Sequence, residues 1–215
     1  MIITENVHCI STFFTNQYLI VDGHTLFLID TGLRGNAAKI IRSIYAIGHH
    51  PSALKQTFIT HADGDHYGAA NGLIKSTGCR IAASRLEAEA MIAGSSSREL
   101  KPKGIFKHLL PLTDGLFRAD PTNVDTVLEP GLTLPILEGL KVLSTPGHTP
   151  DHISFYLPKY RILFAGDSIW LKNRAPCPSR GMNTWDIELS DKSFQAQMAL
   201  NPSIICAGHG ILKIH

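Results

Sequence analysis

The apolar positions in the first half of the chain alternate between strand-like and helix-like spacing. Residues 18–21 and 25–29 are apolar runs on either side of Asp22-Gly23-His24, a sequence typical of a tight turn, and together they predict a β-hairpin. Apolar side chains at positions 37, 40, 41, 44 and 47 have helical spacing, and Gly48 is suited to end that helix. Residues 56–59 then predict a buried strand.

The same alternation continues to residue 93. A helix is predicted to begin near His66 and to end at Thr77 before Gly78, followed by a short strand at 80–83 and a helix at 86–93. Three later apolar runs, at 142–144, 162–165 and 204–207, are further strand candidates. Strands that alternate with helices in this order predict an α/β sandwich.

Two stretches lack regular spacing. Residues 94–125 contain three consecutive serines and several prolines and glycines, and residues 169–185 carry three basic side chains among turn residues. Because loops longer than about a dozen residues are usually functional or disordered, we expect 94–125 to be a variable cap over a site and 169–185 to be a second loop beside it. No repeat or linker divides the chain, which predicts a single domain over residues 1–215.

Four side chains that can bind metal lie within six residues, directly after the strand predicted at 56–59. They are His61, Asp63, Asp65 and His66. Imidazole and carboxylate groups bind zinc, iron and manganese, and alternate positions along an extended chain project to the same side. A polar turn in which Asp65 caps a helix would explain the segment without metal, but the metal site is the stronger interpretation.

Three more ligand candidates each follow a glycine at the end of an apolar run. They are His148, Asp167 and His209. A glycine allows the backbone to approach a crowded site closely, because it has no side chain. An ordinary turn would explain any one of these segments. Their joint occurrence with the first cluster predicts one metal centre.

These motifs resemble those of the metallo-β-lactamase superfamily of dinuclear metal hydrolases. The matching residues, in chain order, are Asp30-Thr31-Gly32, His61, Asp65, His66, His148, Asp167 and His209. One position departs from the His-x-His-x-Asp-His motif, since Asp63 stands where the family usually has its second histidine. The resemblance covers about residues 18–210 and implies a four-layer αββα sandwich and a metal-dependent hydrolase.

The family's pattern implies two divalent metal ions. The first would be held by His61, Asp63 and His148, the second by Asp65, His66 and His209, and Asp167 would bridge them. Zinc is the expected metal, with manganese and iron as alternatives. The substrate-binding residues are unknown, and we expect selectivity to come from the two irregular stretches.

Asp63 changes the charge of this ligand set. Two divalent ions with three carboxylates leave a formal charge of +1, whereas the usual set leaves +2. A less positive centre is a weaker Lewis acid, and an added oxygen ligand favours iron or manganese. Replacing Asp63 by histidine is therefore expected to raise the affinity for zinc. Asp63 could also be too short to reach, leaving the first site weak.

The reaction implied is cleavage of an ester, thioester, lactone or amide bond by a metal-bound hydroxide. Asp65 is suited to orient that hydroxide and to pass a proton to the leaving group. Asp30 is expected to support the histidines by hydrogen bonding, a role compatible with capping a turn, and His152 is a candidate for a similar role.

Two other classes of function stay open at this point. The flavodiiron branch of the superfamily also has a carboxylate, Glu, at the position of Asp63, so a dimetal oxidoreductase or a sulfur dioxygenase is the alternative. Against it, the sequence gives no sign of a flavin-binding domain, although a separate partner could supply one. A metal-binding module without catalysis is the third, although every other ligand candidate is retained.

Composition and charge limit the partners. With 215 residues, 44% hydrophobic and 18% charged, the chain is long enough for a globular domain with a substantial core. A formal net charge of +2 without a basic run gives no reason to expect nucleic acid. No signal peptide or membrane-length apolar stretch is found, and the four cysteines are scattered, so we expect a cytoplasmic protein without disulfides that acts on a small molecule. The oligomeric state is left open.

Overall fold

The computed structural model describes residues 1–98 and 118–214. Most of the cap predicted at 94–125 therefore lies outside the described residues. The described part contains two mixed β-sheets, a separate hairpin and five α-helices.

The first sheet has seven strands in sequence order. They are β1 Ile2–Thr4, β2 Val7–Ser11, β3 Asn16–Asp22, β4 Thr25–Ile29, β5 Leu54–Phe58, β6 Arg80–Ala83 and β7 Thr126–Val127. Strands β1 to β4 are antiparallel, and β4 to β7 pair in parallel. The hairpin predicted around residues 22–24 is confirmed as β3 and β4.

The second sheet has six strands in the order β15-β14-β11-β10-β9-β8. They are β8 Thr133–Leu134, β9 Leu140–Ser144, β10 Ile153–Leu157, β11 Ile162–Gly166, β14 Ile204–Ala207 and β15 Gly210–Lys213. Strands β11 and β14 are parallel, so their carboxyl ends lie at the same edge. The hairpin between them is β12 Ile169–Lys172 and β13 Ala175–Pro178.

The five α-helices lie on the outer faces of the sheets. They are α1 Ala37–Ala46, α2 Gly64–Tyr67, α3 Ala70–Thr77, α4 Arg85–Ala93 and α5 Ile187–Ala199. Short 3-10 helices occur at Pro51–Ala53 and Pro158–Tyr160.

Alternation along the strands explains why both faces of each sheet are buried. In β3, Tyr18 and Ile20 pack between the sheets, whereas Leu19 packs with the buried side chains of α1 and α3. In β11, Phe164 packs between the sheets and Leu163 packs with Phe194 of α5. Three apolar interfaces thus separate four layers, in the order helices, sheet, sheet, helix.

Two sequence predictions were wrong in detail. The single helix predicted from His66 to Thr77 is two helices, and the break falls at Ala69, whose φ is −93° and ψ is 2°. The His66 carbonyl accepts from Thr31 N at 2.6 Å and from Gly32 N at 3.2 Å instead of from the fourth residue further along a helix. The loop predicted at 169–185 contains the hairpin β12–β13. Prolines in β13 concealed that strand, since proline is tolerated only at edges and ends of sheets.

Within residues 1–98 and 118–214, no helix is long and apolar enough to cross a membrane.

Candidate metal centre

The seven predicted ligands meet at the carboxyl ends of strands from both sheets. His61, Asp63, Asp65 and His66 follow β5, while His148, Asp167 and His209 follow β9, β11 and β14. The glycines permit this crowding. A β-carbon on Gly208 would lie 2.3 Å from Asp167 Oδ1, and one on Gly166, whose φ is +51°, would lie 2.7 Å from Thr60 Oγ1.

Asp30 holds two of the histidines. It follows β4 with a φ of 58° and is buried. His66 Nδ1 donates to Asp30 Oδ2 at 2.8 Å, and Thr60 Oγ1 donates to the same carboxylate at 2.9 Å. That hydroxyl in turn accepts from His61 Nδ1 at 3.0 Å. In the neutral form of each imidazole, Nδ1 therefore carries the proton, and the Nε2 lone pair is left to face a cation.

The other two histidines are held in the same way. His148 Nδ1 donates to Ser179 Oγ at 3.0 Å, and His209 Nδ1 donates to the Phe14 carbonyl at 2.7 Å. Ser179 lies just after the hairpin β12–β13, and Trp185 N also donates to the His148 carbonyl at 3.1 Å. The segment 169–185 therefore positions His148.

The Nε2 atoms and carboxylates form two adjoining pockets. In the first, defined by His61, Asp63 and His148, Asp63 Oδ2 lies 3.4 Å from His61 Nε2 and 3.2 Å from His148 Nε2. In the second, defined by Asp65, His66 and His209, Asp65 Oδ2 lies 3.7 Å from His209 Nε2. The candidate ligand atoms of each group lie within 4.8 Å of one another.

Asp167 lies between the two pockets. Its Oδ1 is 3.3 Å from His66 Nε2, and its Oδ2 is 3.1 Å from His209 Nε2 and 3.7 Å from His148 Nε2. This is the location that a carboxylate bridging two metal ions would need.

The donor set fits divalent metal ions. Among residues 1–98 and 118–214, nine buried side-chain nitrogen and oxygen atoms have no hydrogen-bond partner, and three of them belong to predicted ligands: His61 Nε2, His66 Nε2 and Asp167 Oδ1. Buried polar atoms without partners are costly. Since these three point into the same space and are all metal donors, a cation would satisfy them.

Charges in the cluster are strongly coupled. Burial together with His66 lowers the pKa of His61 to about 4. Burial also opposes charge on His66, but Asp167, Asp30 and Asp65 outweigh it and raise the pKa of that imidazole well above its ordinary value. The pKa of Asp167 is held well below its usual range, because His66 and His209 outweigh the effect of burial. His66 and Asp167 thus favour each other's charged forms, and a divalent cation would take the place of the His66 proton as the partner of Asp167.

Asp63 has a partner that the sequence did not indicate. Arg98 Nη1 and Nη2 donate to Asp63 Oδ1 and Oδ2 at 2.7 and 2.6 Å, and Ser96 Oγ donates to Oδ1 at 2.8 Å. Burial raises the pKa of Asp63, but Arg98 and His61 lower it further than that, to well below its ordinary value. Asp63 therefore reaches the first pocket as a carboxylate paired with a guanidinium.

His152 lies next to the ligand cluster and contacts the backbone of Asp167. It is fully buried, its Nδ1 donates to Thr145 Oγ1 at 2.8 Å, and its Nε2 accepts from the backbone N–H of Asp167 at 3.2 Å. Burial, with His61 and His148 nearby, lowers its pKa well below the ordinary value. A neutral His152 can therefore hold the Asp167 backbone, and its predicted supporting role stays a prediction.

Glu87 is a buried carboxylate that sequence reasoning missed. It accepts from Ala62 N at 2.7 Å, from Thr149 Oγ1 at 2.6 Å and from Ser97 Oγ at 2.8 Å. It thus ties together the two loops that carry His61 and His148. Its place in helix α4 gave no signal, since an acidic residue in a first helical turn is ordinary.

Two aromatic residues lie in the loop that contacts His209. Phe13, 90% exposed, and Phe14 form an edge-to-face pair with ring centroids 4.6 Å apart. Their loop is attached to the site, because Thr15 Oγ1 donates to the Asp65 carbonyl at 2.9 Å and the Phe14 carbonyl accepts from His209. An isolated Phe-Phe pair gave no functional signal in the sequence.

Comparison with known proteins agrees with this geometry. The sequence model of the metallo-beta-lactamase superfamily matches residues 10–209. The chain is 28% identical over 207 residues to the protein YobT of Bacillus subtilis (strain 168), covering 92% of this chain and 84% of YobT. It is 25% identical over 224 residues to the probable metallo-hydrolase YflN of the same organism, covering 96% of this chain and 84% of YflN.

Solved structures show the same architecture. A beta-lactamase from Chitinophaga pinensis superimposes with a TM-score of 0.75 at 21% identity, covering 97% of this chain and 77% of that one. The chain belongs to the metallo-β-lactamase superfamily, and the predicted four-layer αββα sandwich is confirmed. It is a metal-dependent hydrolase of that superfamily.

Proposed function

We propose that the protein hydrolyses an ester, thioester, lactone or amide bond in a small molecule, at a centre that binds two divalent ions. The first pocket and the second pocket would each hold one ion, with Asp167 between them. Zinc suits the four imidazoles, and manganese or iron would also accept the carboxylates. Bound ions would supply Lewis acidity, lowering the pKa of a coordinated water toward about 7 and polarising the substrate's carbonyl oxygen.

The observation that carries this proposal is the common orientation of four histidines. Each Nδ1 is engaged by a separate partner, and each Nε2 faces the same space. Histidines placed only for packing have no reason to share a tautomer. Fixing all four rings in this way preorganises a site for cations.

Asp65 is the candidate general base. It follows the N-terminus of α2, its carboxylate is 15% exposed, and it lies 3.7 Å from His209 at the second pocket. A carboxylate at this place can accept a proton from the attacking water and return it to the leaving group. His66 and His209 are held independently of it.

Hydrolysis is favoured over the redox alternative by the relatives. YflN is named a probable metallo-hydrolase and matches 96% of this chain. The described residues also bring together a base candidate and a metal pocket, which hydrolysis requires.

The test is hydrolysis of a panel of ester, lactone and thioester substrates by metal-free protein reloaded with zinc, manganese or iron. We expect activity to disappear on chelation, to return with metal, and to fall by about 10³-fold in Asp65→Asn, which keeps the shape but removes the base. The exposed variant Glu89→Gln serves as control. Near wild-type turnover in Asp65→Asn would remove Asp65 from the mechanism.

Phe13 is the proposed contact for an apolar part of the substrate. Its exposed ring lies in the loop attached to His209 and Asp65. Phe13→Ser should raise KM about tenfold for substrates with long acyl chains, because apolar contact area is lost, and should change kcat little. Tyr45→Ser on α1, also exposed, is the matched control. Equal effects on short and long acyl chains would contradict this role.

A further inference from the structure

The Arg98 guanidinium lies beside the first pocket with both of its ends on Asp63. Its side chain is 3% exposed, and its two hydrogen bonds to that carboxylate are 2.7 and 2.6 Å long. Such a pair is strong because the fork of the guanidinium matches the carboxylate. Either charge left alone at this depth would carry a large desolvation cost.

Asp63 faces the pocket while it holds Arg98. Its Oδ2 lies 3.2 Å from His148 Nε2 and 3.4 Å from His61 Nε2, whereas Oδ1 is occupied by Arg98 and Ser96. A carboxylate oxygen has two lone pairs, so Oδ2 can accept from Arg98 and still present a lone pair to the pocket. The pairing therefore leaves one oxygen of Asp63 available as a donor.

We infer that Asp63 and Arg98 act as one neutral unit that takes the place of the second histidine of the family motif, and that Arg98 thereby sets the charge of the metal centre. This inference rests on the proposed function. Counting the ligands alone, two divalent ions and three carboxylates leave +1. The buried guanidinium restores the total to +2, the value of the usual histidine set.

This unit changes what a substitution at Asp63 should do. From the ligands alone, Asp63→His is expected to raise zinc affinity. With Arg98 in place, the same substitution leaves a buried cation without its counter-ion next to the first pocket, and the like charge opposes binding of a metal ion. Asp63→His should therefore weaken zinc binding, and removal of the Arg98 charge should restore it.

The experiment compares three variants that all replace Asp63 by histidine and differ at position 98. They are Asp63→His, Asp63→His with Arg98→Lys, and Asp63→His with Arg98→Met. Zinc content and the affinity of each bound ion are measured by competition with a chelator. The first two variants keep the positive charge and should bind the first ion at least about tenfold more weakly than the third, which should approach wild type. Equal affinities in all three would overturn the inference.

Arg98→Met alone provides a second measurement that does not depend on histidine at position 63. It leaves Asp63 as an unpaired buried carboxylate, so metal-free protein should melt several degrees below wild type. Saturating zinc should stabilise this variant more than it stabilises wild type, because the cation replaces the lost charge. A metal-free variant that melts like wild type would contradict the pairing.

These readouts separate the inference from the proposed function. Wild-type protein that binds no divalent ion would contradict the metal centre itself. Wild-type protein that binds two ions, together with three variants of equal affinity, would contradict only the charge balance by Arg98. If zinc binding follows the expected pattern but the protein shows no hydrolytic turnover, the charge balance by Arg98 is supported and the proposed hydrolysis is contradicted.

Discussion

The two pockets of the metal centre are held by different parts of the chain. In the second pocket, His66 is held by Asp30 at the end of β4, and His209 by the carbonyl of Phe14 in the loop before β3. In the first pocket, Asp63 is held by Arg98 and Ser96, which lie beyond helix α4. The second pocket is thus supported by the first sheet and its loops. The Asp63 carboxylate of the first pocket is held instead by the loop segment that contains Ser96 and Arg98.

This difference separates what the fold fixes from what is particular to this chain. Supports at strand ends have positions that the sheet fixes. A support from a loop can change without disturbing the core. We therefore expect substitutions at the supports of the first pocket to change its affinity for a metal ion. Substitutions at the supports of the second pocket should abolish metal binding there.

The largest effect is expected at Asp167, because it contacts histidines of both pockets. Asp167→Asn removes the central charge and should release ions from both pockets, lowering kcat/KM by about 10⁴-fold. Metal content and hydrolysis would be measured on the same preparation. Full occupancy of both pockets in this variant would show that Asp167 is not shared.

A smaller effect is expected when the residues that hydrogen-bond the histidines are replaced, and the ion that is affected should depend on the residue. Asp30→Asn disturbs His66 directly and His61 through Thr60, so the affinity for both ions should fall by about 10- to 100-fold. Ser179→Ala, the matched variant at His148, should weaken the first ion alone. Both are measured by chelator competition. Loss of the second ion in Ser179→Ala would contradict the claim that separate residues support the two pockets.

Sequence patterns could predict the parts of this site that repeat a local motif. Gly166 and Gly208 precede their ligands at strand ends, and the crowding around them is visible in the fold. Arg98 could not be found in this way, because it lies 35 residues from Asp63 in a stretch without periodicity. Ser179 could not be found either, because the prolines of β13 concealed the strand that precedes it.

The elements of the fold could be predicted where the apolar pattern was strong. Helix α1 and the hairpin β3–β4 lie where the spacing placed them, because one face of each must be buried. The break between α2 and α3 is accompanied by hydrogen bonds from Thr31 and Gly32 to the His66 carbonyl, which local spacing does not encode. The short strands β1 and β2, which pair with each other, were also missed.

The smallest effect is expected at Glu87, which joins the loops of His61 and His148. Glu87→Gln replaces one acceptor oxygen by a donor that faces an N–H or a hydroxyl, and should lower stability by about 1–3 kcal/mol. For a chain of this length the melting temperature should fall by about 3–10 °C. Exposed Glu89→Gln is the control. An unchanged melting temperature would mean that Glu87 does not tie the loops together.

The most direct test of the central claim is anomalous diffraction at the zinc absorption edge from crystals grown with excess zinc. The geometry predicts two peaks per chain, one within bonding distance of the Nε2 atoms of His66 and His209, and one within bonding distance of those of His61 and His148. Absence of any peak near His66 and His209 would contradict the assignment of this cluster as a metal centre.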